Sequence, residues 1–337
     1  MSRDEKDIKM SVANCPKVEL HLHLEGAAPP EFIRRLAGEK NQDIGGIFSE
    51  SGDYHFTDFA NFLKVYEAAT SVLTEPEDFY RLTCEVLQQS AAEGVIYTEL
   101  FLSPDFCGGC DLAAWQEYLS AITQAADESQ RAFEIIAKGI VTCIRHFGPD
   151  QAKHAALCGA ETASDFIVGF GMGGDELQGR QGDFVYSFDM AREAKLKLTT
   201  HAGEWGGAES VRQAVFDLNV ERIGHGVQVV GDPALVDELV ARQITLEICP
   251  GSNIALGVYP TLAAHPIKDL RNAGVKTTIS TDDPPFFHTS LGQEYHHLAD
   301  TFGWTSEDFI ALNKTAAAAA FCSEETRKSL IERLENT

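Results

Sequence analysis

From residue 94 onwards, short apolar runs alternate with longer amphipathic stretches. The runs are Val95–Leu102, Ile135–Ile140, Phe166–Phe170, Leu196–His201, Arg222–His225, Ile244–Ile248 and Thr277–Thr281. With the earlier run Val18–His23 there are eight. Near-continuous apolar character suits strands buried on both faces, as in a parallel sheet covered by helices. The intervening segments are long enough for crossover helices, and Ala208–Leu218 and Pro233–Arg242 carry helical patterning. The alternation predicts an α/β fold, a single (β/α)8 barrel of the TIM type, with one domain over 1–337.

A helix-rich insertion is expected after the first strand. Pro29-Pro30-Glu31 opens a helix over Glu31–Gly38, with proline at its favoured early position. Asn41–Tyr54 is polar and contains glycine. Phe56, Phe59, Phe62, Leu63, Val65 and Tyr66 follow at near-helical spacing. This stripe reads first as core packing; the other reading is a lid leaning over the end of the first strand. Thr74 is the expected cap of a helix running to about Glu93. The stretch Ser306–Thr337 reads as extra helices on the outside of the barrel.

Composition narrows the function. The chain has 337 residues, 44% hydrophobic and 23% charged, enough for a large core. Its 27 Lys and Arg face 51 Asp and Glu, a net charge of −24 that disfavours nucleic-acid polymers and anionic membranes as partners. No apolar run is long enough to span a bilayer. Met1–Met10 is polar with no signal core, so the cytoplasm is the expected compartment. The eight cysteines then read as reduced thiols.

In a barrel of parallel strands the reacting groups come from the C-terminal strand ends. Here those ends carry His21 and His23, then His201-Ala-Gly-Glu204, then His225, then Asp282-Asp283. His21 and His23 are two apart on a strand and share a face. Three histidines and an aspartate at one mouth make a zinc site with room for water. A glutamate, a histidine and a second aspartate remain for proton transfer and substrate contact.

The segments His21-Leu-His-Leu-Glu-Gly26, His201-Ala-Gly-Glu204, Arg222-Ile-Gly-His-Gly226, Cys249-Pro-Gly-Ser252 and Ser280-Thr-Asp-Asp-Pro284 together resemble the adenosine deaminase family of metal-dependent amidohydrolases. The resemblance implies one Zn2+ ion on His21, His23, His201 and Asp282. It makes Glu204 the acid at purine N1, and His225 the residue that orients and helps deprotonate the attacking water. Asp282 counts as catalytic as well as a ligand. On the substrate side it places Asp283 at N7, the Gly174 backbone at N3, Glu25 near the sugar position, and His23 beside the ring. Binuclear members of the wider superfamily carry a lysine at the end of strand four. None stands in Val168-Gly-Phe-Gly-Met-Gly-Gly174, so one ion is expected. The partner implied is a small purine nucleoside or base.

Other motifs carry less. Gly169-Phe-Gly-Met-Gly-Gly174 matches a dinucleotide fingerprint, but loop rather than helix is expected after it. Cys107-Gly-Gly-Cys110 lacks a second pair. His265, His296 and His297 read as surface or helix-packing residues, and His288 lies near the expected mouth. On substrate, Glu25 leans to adenine, because adenosine-specific members usually carry Asp there. Ile223-Gly-His-Gly226, Glu204-Trp-Gly-Gly207 and Phe101-Leu-Ser-Pro104 lean to the nucleoside. The sequence therefore favours adenosine and deoxyadenosine, deaminated hydrolytically to the 6-oxo products, with adenine or another 6-aminopurine nucleoside as the alternative; a different amidohydrolase and a catalytically dead scaffold on the same barrel rank below these.

Overall fold

In the computed structural model residues 15–336 are described; the polar N-terminal arm lies outside them. Eight parallel strands pair in sequence order: β1 (Lys17–His23), β2 (Val95–Leu102), β3 (Ile136–Ile144), β4 (Ile167–Gly173), β5 (Lys197–Ala202), β6 (Arg222–His225), β7 (Thr245–Ile248) and β8 (Lys276–Ile279). The barrel expectation holds. Closure falls on a single bridge between Leu22 and Asp282. There Asp282 N donates to His21 O at 3.1 Å and His23 N donates to Asp282 O at 3.0 Å. The seam of the barrel is thus made at His21, His23 and Asp282, three of the expected ligand positions.

Strand ends differ from the apolar runs where glycine or polar residues continue the ladder. β3 extends to Ile144 and β4 to Gly173, whereas β8 stops at Ile279. Beyond β8, Thr281 pairs through N and Oγ1 with the Glu19 carboxylate. Thr74 is not the helix cap: the helix Pro76–Ala92 is capped at Glu75, and Asp78 accepts from the backbone of Thr74 and Glu75. A carboxylate three residues into the helix thereby takes up amides left free at the helix start. No helix among the described residues is long and apolar enough to cross a membrane.

The barrel interior holds charge as well as apolar side chains. Arg222 is 1% exposed, donates to both Glu247 and Glu99, and lies 3.5 Å over the Phe321 ring. Glu99 also accepts from Tyr97 Oη and from Phe321 N, which ties the C-terminal segment to the barrel floor. Buried charges persist only when paired and hydrogen-bonded; removing one partner of such a pair costs about 3–5 kcal/mol.

Candidate active site

The strand ends bring His21, His23, His201 and Asp282 into one cluster, with ligand atoms within 4.8 Å of one another. His23 Nε2 lies 3.2 Å from His201 Nε2, and Asp282 Oδ1 lies 3.3 Å from both His21 Nε2 and His23 Nε2. These separations match the edge of a tetrahedron whose centre-to-ligand bonds are about 2.0–2.1 Å, as zinc requires. Tautomers agree. His201 Nδ1 donates to Met172 O at 2.8 Å and His21 Nδ1 to Glu247 Oε2 at 2.8 Å, leaving each Nε2 lone pair free. His21 Nε2 is buried without a hydrogen-bond partner. A buried imidazole nitrogen aimed at other acceptors fits a cation between them. Ser252 Oγ donates to Asp282 Oδ2 at 2.7 Å and steadies the fourth ligand.

Asp282 of the cluster and the neighbouring His225 hold unusual backbone. His225 and Asp282 have φ of 60° and 67°, the left-handed region that non-glycine residues rarely adopt. Such conformations persist where the surroundings over-determine them.

Around the cluster stand four titratable groups. Glu204 is buried, and burial, then the Asp282 and Glu176 charges, hold its carboxyl well above the usual range. Asp283 is likewise pushed well up by burial, then Asp282, Glu25 and Glu204, and its Oδ1 has no partner. In both, burial favours the protonated carboxyl. Burial lowers His225 to about 4, so its imidazole is neutral. Glu25 is 1% exposed; its Oε1 accepts from Ser103 N at 3.3 Å, its Oε2 has no partner, and burial lifts it to about 7. Gly26 gives this wall its shape, since a Cβ there would lie 1.6 Å from Asp283 Oδ1. Gly174 has φ +96, and a Cβ would meet His146 Nδ1 at 2.7 Å.

Above the cluster is a cleft of about 650 Å³, counting its open mouth. Its floor includes His23, His201, Glu204, His225, Asp282 and Asp283, and Gly174 and Ser103 flank it. Phe59, Phe62, Leu63 and Tyr66 of the helix Phe59–Thr70 form its upper wall with Phe106. The aromatic stripe thus does more than pack the core. Phe62 is buried against Phe286 and Phe287, while the same helix face covers the mouth. Helical periodicity marks both uses alike.

Several supporting residues were not singled out from sequence. Glu247 orients His21; its signal was a charge inside the apolar run Thr245-Leu-Glu-Ile248. Glu176 accepts from the backbone N–H groups of Gly203, Glu204 and Trp205. Asn253 Nδ2 donates to Glu204 Oε1 at 3.0 Å, and Asn253 Oδ1 faces His265 Nε2 at 3.1 Å. His265 is therefore neither on the surface nor a packing residue: it is 3% exposed and joined to the site. His288 is exposed and absent from the cleft lining, which corrects its expected place. Cys107 and Cys110 are free thiols, and they join no metal-sized cluster among the described residues.

Comparison with known proteins agrees with this geometry. The family model described as adenosine deaminase matches residues 16–337. A protein named adenine deaminase from Rhizobium leguminosarum bv. trifolii is 46% identical over 318 residues, 94% of this chain and 98% of its own. The crystal structure of an adenine deaminase from Arthrobacter aurescens superposes with a TM-score of 0.89 at 28% identity, covering 96% of this chain and 98% of that one. An amidohydrolase from Burkholderia ambifaria, solved with bound zinc, gives 0.86 at 25% identity over 98% and 95%. The preference for adenosine finds no support among these relatives; the adenine alternative fits them better.

Proposed function

The chain belongs to the adenosine deaminase family, hydrolases acting on C–N bonds in cyclic amidines, and we propose that it converts adenine and water to hypoxanthine and ammonia. The observation that carries the reading is the cluster of His21, His23, His201 and Asp282 under one cleft that also carries the buried carboxyls of Glu204 and Asp283. The adenine assignment rests on the relatives' names together with Glu25, which stands where adenosine-specific members usually carry Asp.

His21, His23, His201 and Asp282 would hold a single zinc ion. Bound there, zinc lowers the pKa of water to roughly 7 and so supplies hydroxide at neutral pH. The chain's own groups do the rest. Gly174 N–H and the Asp283 carboxyl hold N3 and N7, which sets C6 above the cluster. Attack at C6 pushes an electron pair onto N1, and Glu204 donates its proton to that atom. His225 and Asp282 border the point of attack. The proton lost by water there passes to the 6-amino group, which leaves as ammonia, and as C6 becomes a carbonyl its hydroxyl proton returns to Glu204. The aromatic wall of Phe59, Phe62 and Tyr66 excludes bulk water from the ring faces.

The test follows the loss of the adenine absorbance band, with adenine, adenosine, deoxyadenosine and a 6-aminopurine nucleotide assayed side by side. Adenine should give the highest kcat/KM by at least about tenfold. A higher value for adenosine would overturn the adenine assignment, and loss of absorbance without ammonia would overturn the deaminase reading.

A further inference from the structure

Hydrogen-bond directions around Asn253 can be read from a fixed starting point. Ile267 N–H is a backbone donor, and it donates to His265 Nδ1 at 3.2 Å. That nitrogen is therefore an acceptor, and the His265 proton sits on Nε2. His265 Nε2–H then donates to Asn253 Oδ1 at 3.1 Å, which settles which end of the Asn253 amide is oxygen. The Asn253 NH2 has two hydrogens and two neighbours: Glu204 Oε1 at 3.0 Å and His225 Nδ1 at 3.2 Å. Both must accept. With Oε1 accepting, the Glu204 proton belongs on Oε2; with Nδ1 accepting, the His225 proton belongs on Nε2. A proton on His225 Nδ1 could reach Glu204 Oε1 only at 3.5 Å and would meet an Asn253 N–H on the way. Asn253 is fully buried and His265 nearly so, so water does not compete for these bonds.

We propose that Asn253, held in one orientation by His265, is a positioning residue that fixes which atom of Glu204 and which atom of His225 carries the proton. The inference rests on the roles given above to Glu204 and His225. Its consequence for His225 is specific. In this tautomer the imidazole can donate from Nε2 to the oxygen of the attacking water, but it cannot take that water's proton. The expectation that His225 deprotonates the water is replaced by one in which it orients it.

The zinc-loaded protein gives two tests. Selective 15N labelling of histidine should show His225 Nδ1 unprotonated and Nε2 protonated in the wild type. The reverse tautomer overturns the proposal whether or not the protein turns over adenine, so its failure is separate from failure of the proposed activity. Asn253→Asp replaces the donor with an acceptor and should move the His225 proton to Nδ1. It should lower kcat about 100-fold, the scale of a misplaced reacting group, with KM within about threefold and zinc content unchanged. His265→Leu should lower kcat by about tenfold and His265→Gln, which keeps an N–H donor, should recover most of it. Wild-type kcat in Asn253→Asp, or equal losses in both His265 variants, overturns the proposal.

Discussion

Glu176 Oε2 stands 3.0 Å from the backbone nitrogen of Glu204, and the same carboxylate also takes the N–H groups of Gly203 and Trp205. One side chain after β4 thus holds three successive amides after β5. Glu176 is two residues from Gly174, so the groups placed at purine N3 and N1 are referenced to one another. Gln at 176 keeps one acceptor oxygen and turns an NH2 against donors. Glu176→Gln should therefore shift the Glu204 loop and reduce kcat by roughly 10- to 100-fold, with zinc content and KM less affected. Steady-state kinetics with metal analysis checks this; an unchanged kcat removes the coupling.

Glu204→Gln isolates the acid. Zinc binding should survive because the ligands are untouched, while turnover should fall by about 10²–10⁴. The pH dependence has a definite sign. Burial, then Asp282 and Glu176, hold Glu204 well above the usual carboxyl range. The reactive, protonated form is therefore full below that raised pKa and is lost as pH rises through it. Wild-type kcat/KM should decline on the alkaline side through this group. A Gln variant with wild-type rates would remove Glu204 from the proton path.

Glu247→Gln tests the support of the metal site. The carboxylate takes His21 Nδ1 on Oε2 and both Thr199 Oγ1 and Arg222 Nε on Oε1, so an amide that keeps its oxygen towards Arg222 turns its NH2 against the His21 Nδ1–H. Zinc affinity should fall by about 10- to 100-fold, the usual effect of losing a ligand's hydrogen-bond partner. Competition with a chelator of known affinity measures it. Complete chelation of the wild type should abolish turnover, and added Zn2+ should restore it.

The eight strands were legible because buried parallel strands read as apolar runs between amphipathic helices. The cluster of His21, His23, His201 and Asp282 was legible because its members end those runs. Glu247 and His21, 226 positions apart in sequence, meet only once the barrel closes, as do Glu99 and Arg222 at 123. Each is nevertheless a charge inside an apolar strand, tolerable only when paired, and that was a readable signal. Asn253 gave none: it follows Ser252 in a segment noticed for other residues, and its role depends on which way His265 turns its amide. The helix Phe59–Thr70 was ambiguous for a different reason. One apolar face serves core and cleft together.

Glu294 predicts a pH dependence of stability rather than of catalysis. Its oxygens accept from Thr289 Oγ1 at 2.7 Å and Gly251 N at 3.0 Å, yet burial lifts the carboxyl to about 7. The folded state thus binds a proton more tightly than the unfolded chain does. The stability this provides is complete below about 4.5 and is lost as pH rises through about 7. The loss is about 3 kcal/mol at 1.36 kcal/mol per unit. Gln fits the same partners, with oxygen on Gly251 N and NH2 on the Thr289 hydroxyl, which can turn to accept. Glu294→Gln should match the wild type near pH 4.5 and exceed it at pH 8 in thermal unfolding. Parallel curves at both pH values would show that Glu294 does not titrate in this window.

Glu25 is the residue through which substrate choice can be tested most directly. Its backbone neighbour Gly26 is forced to be glycine by Asp283, so the segment that carries Glu25 packs against the Asp283 side of the cleft. Glu25 Oε1 is tied to the N–H of Ser103, a residue of the cleft wall, while Oε2 is buried without a partner and outside the cleft lining. Asp is one methylene shorter. Anchored on the same amide, it would let the Ser103 wall draw back and open room in the cleft. Steric discrimination of one methylene is worth about 10- to 200-fold in kcat/KM. Glu25→Asp should therefore raise the adenosine-to-adenine ratio of kcat/KM by at least about tenfold, chiefly by admitting the nucleoside. The two substrates are measured in one preparation, so folding and zinc content cancel from the ratio. An unchanged ratio would place the discrimination elsewhere, with the aromatic wall of Phe59, Phe62 and Tyr66 as the next part of the cleft to alter.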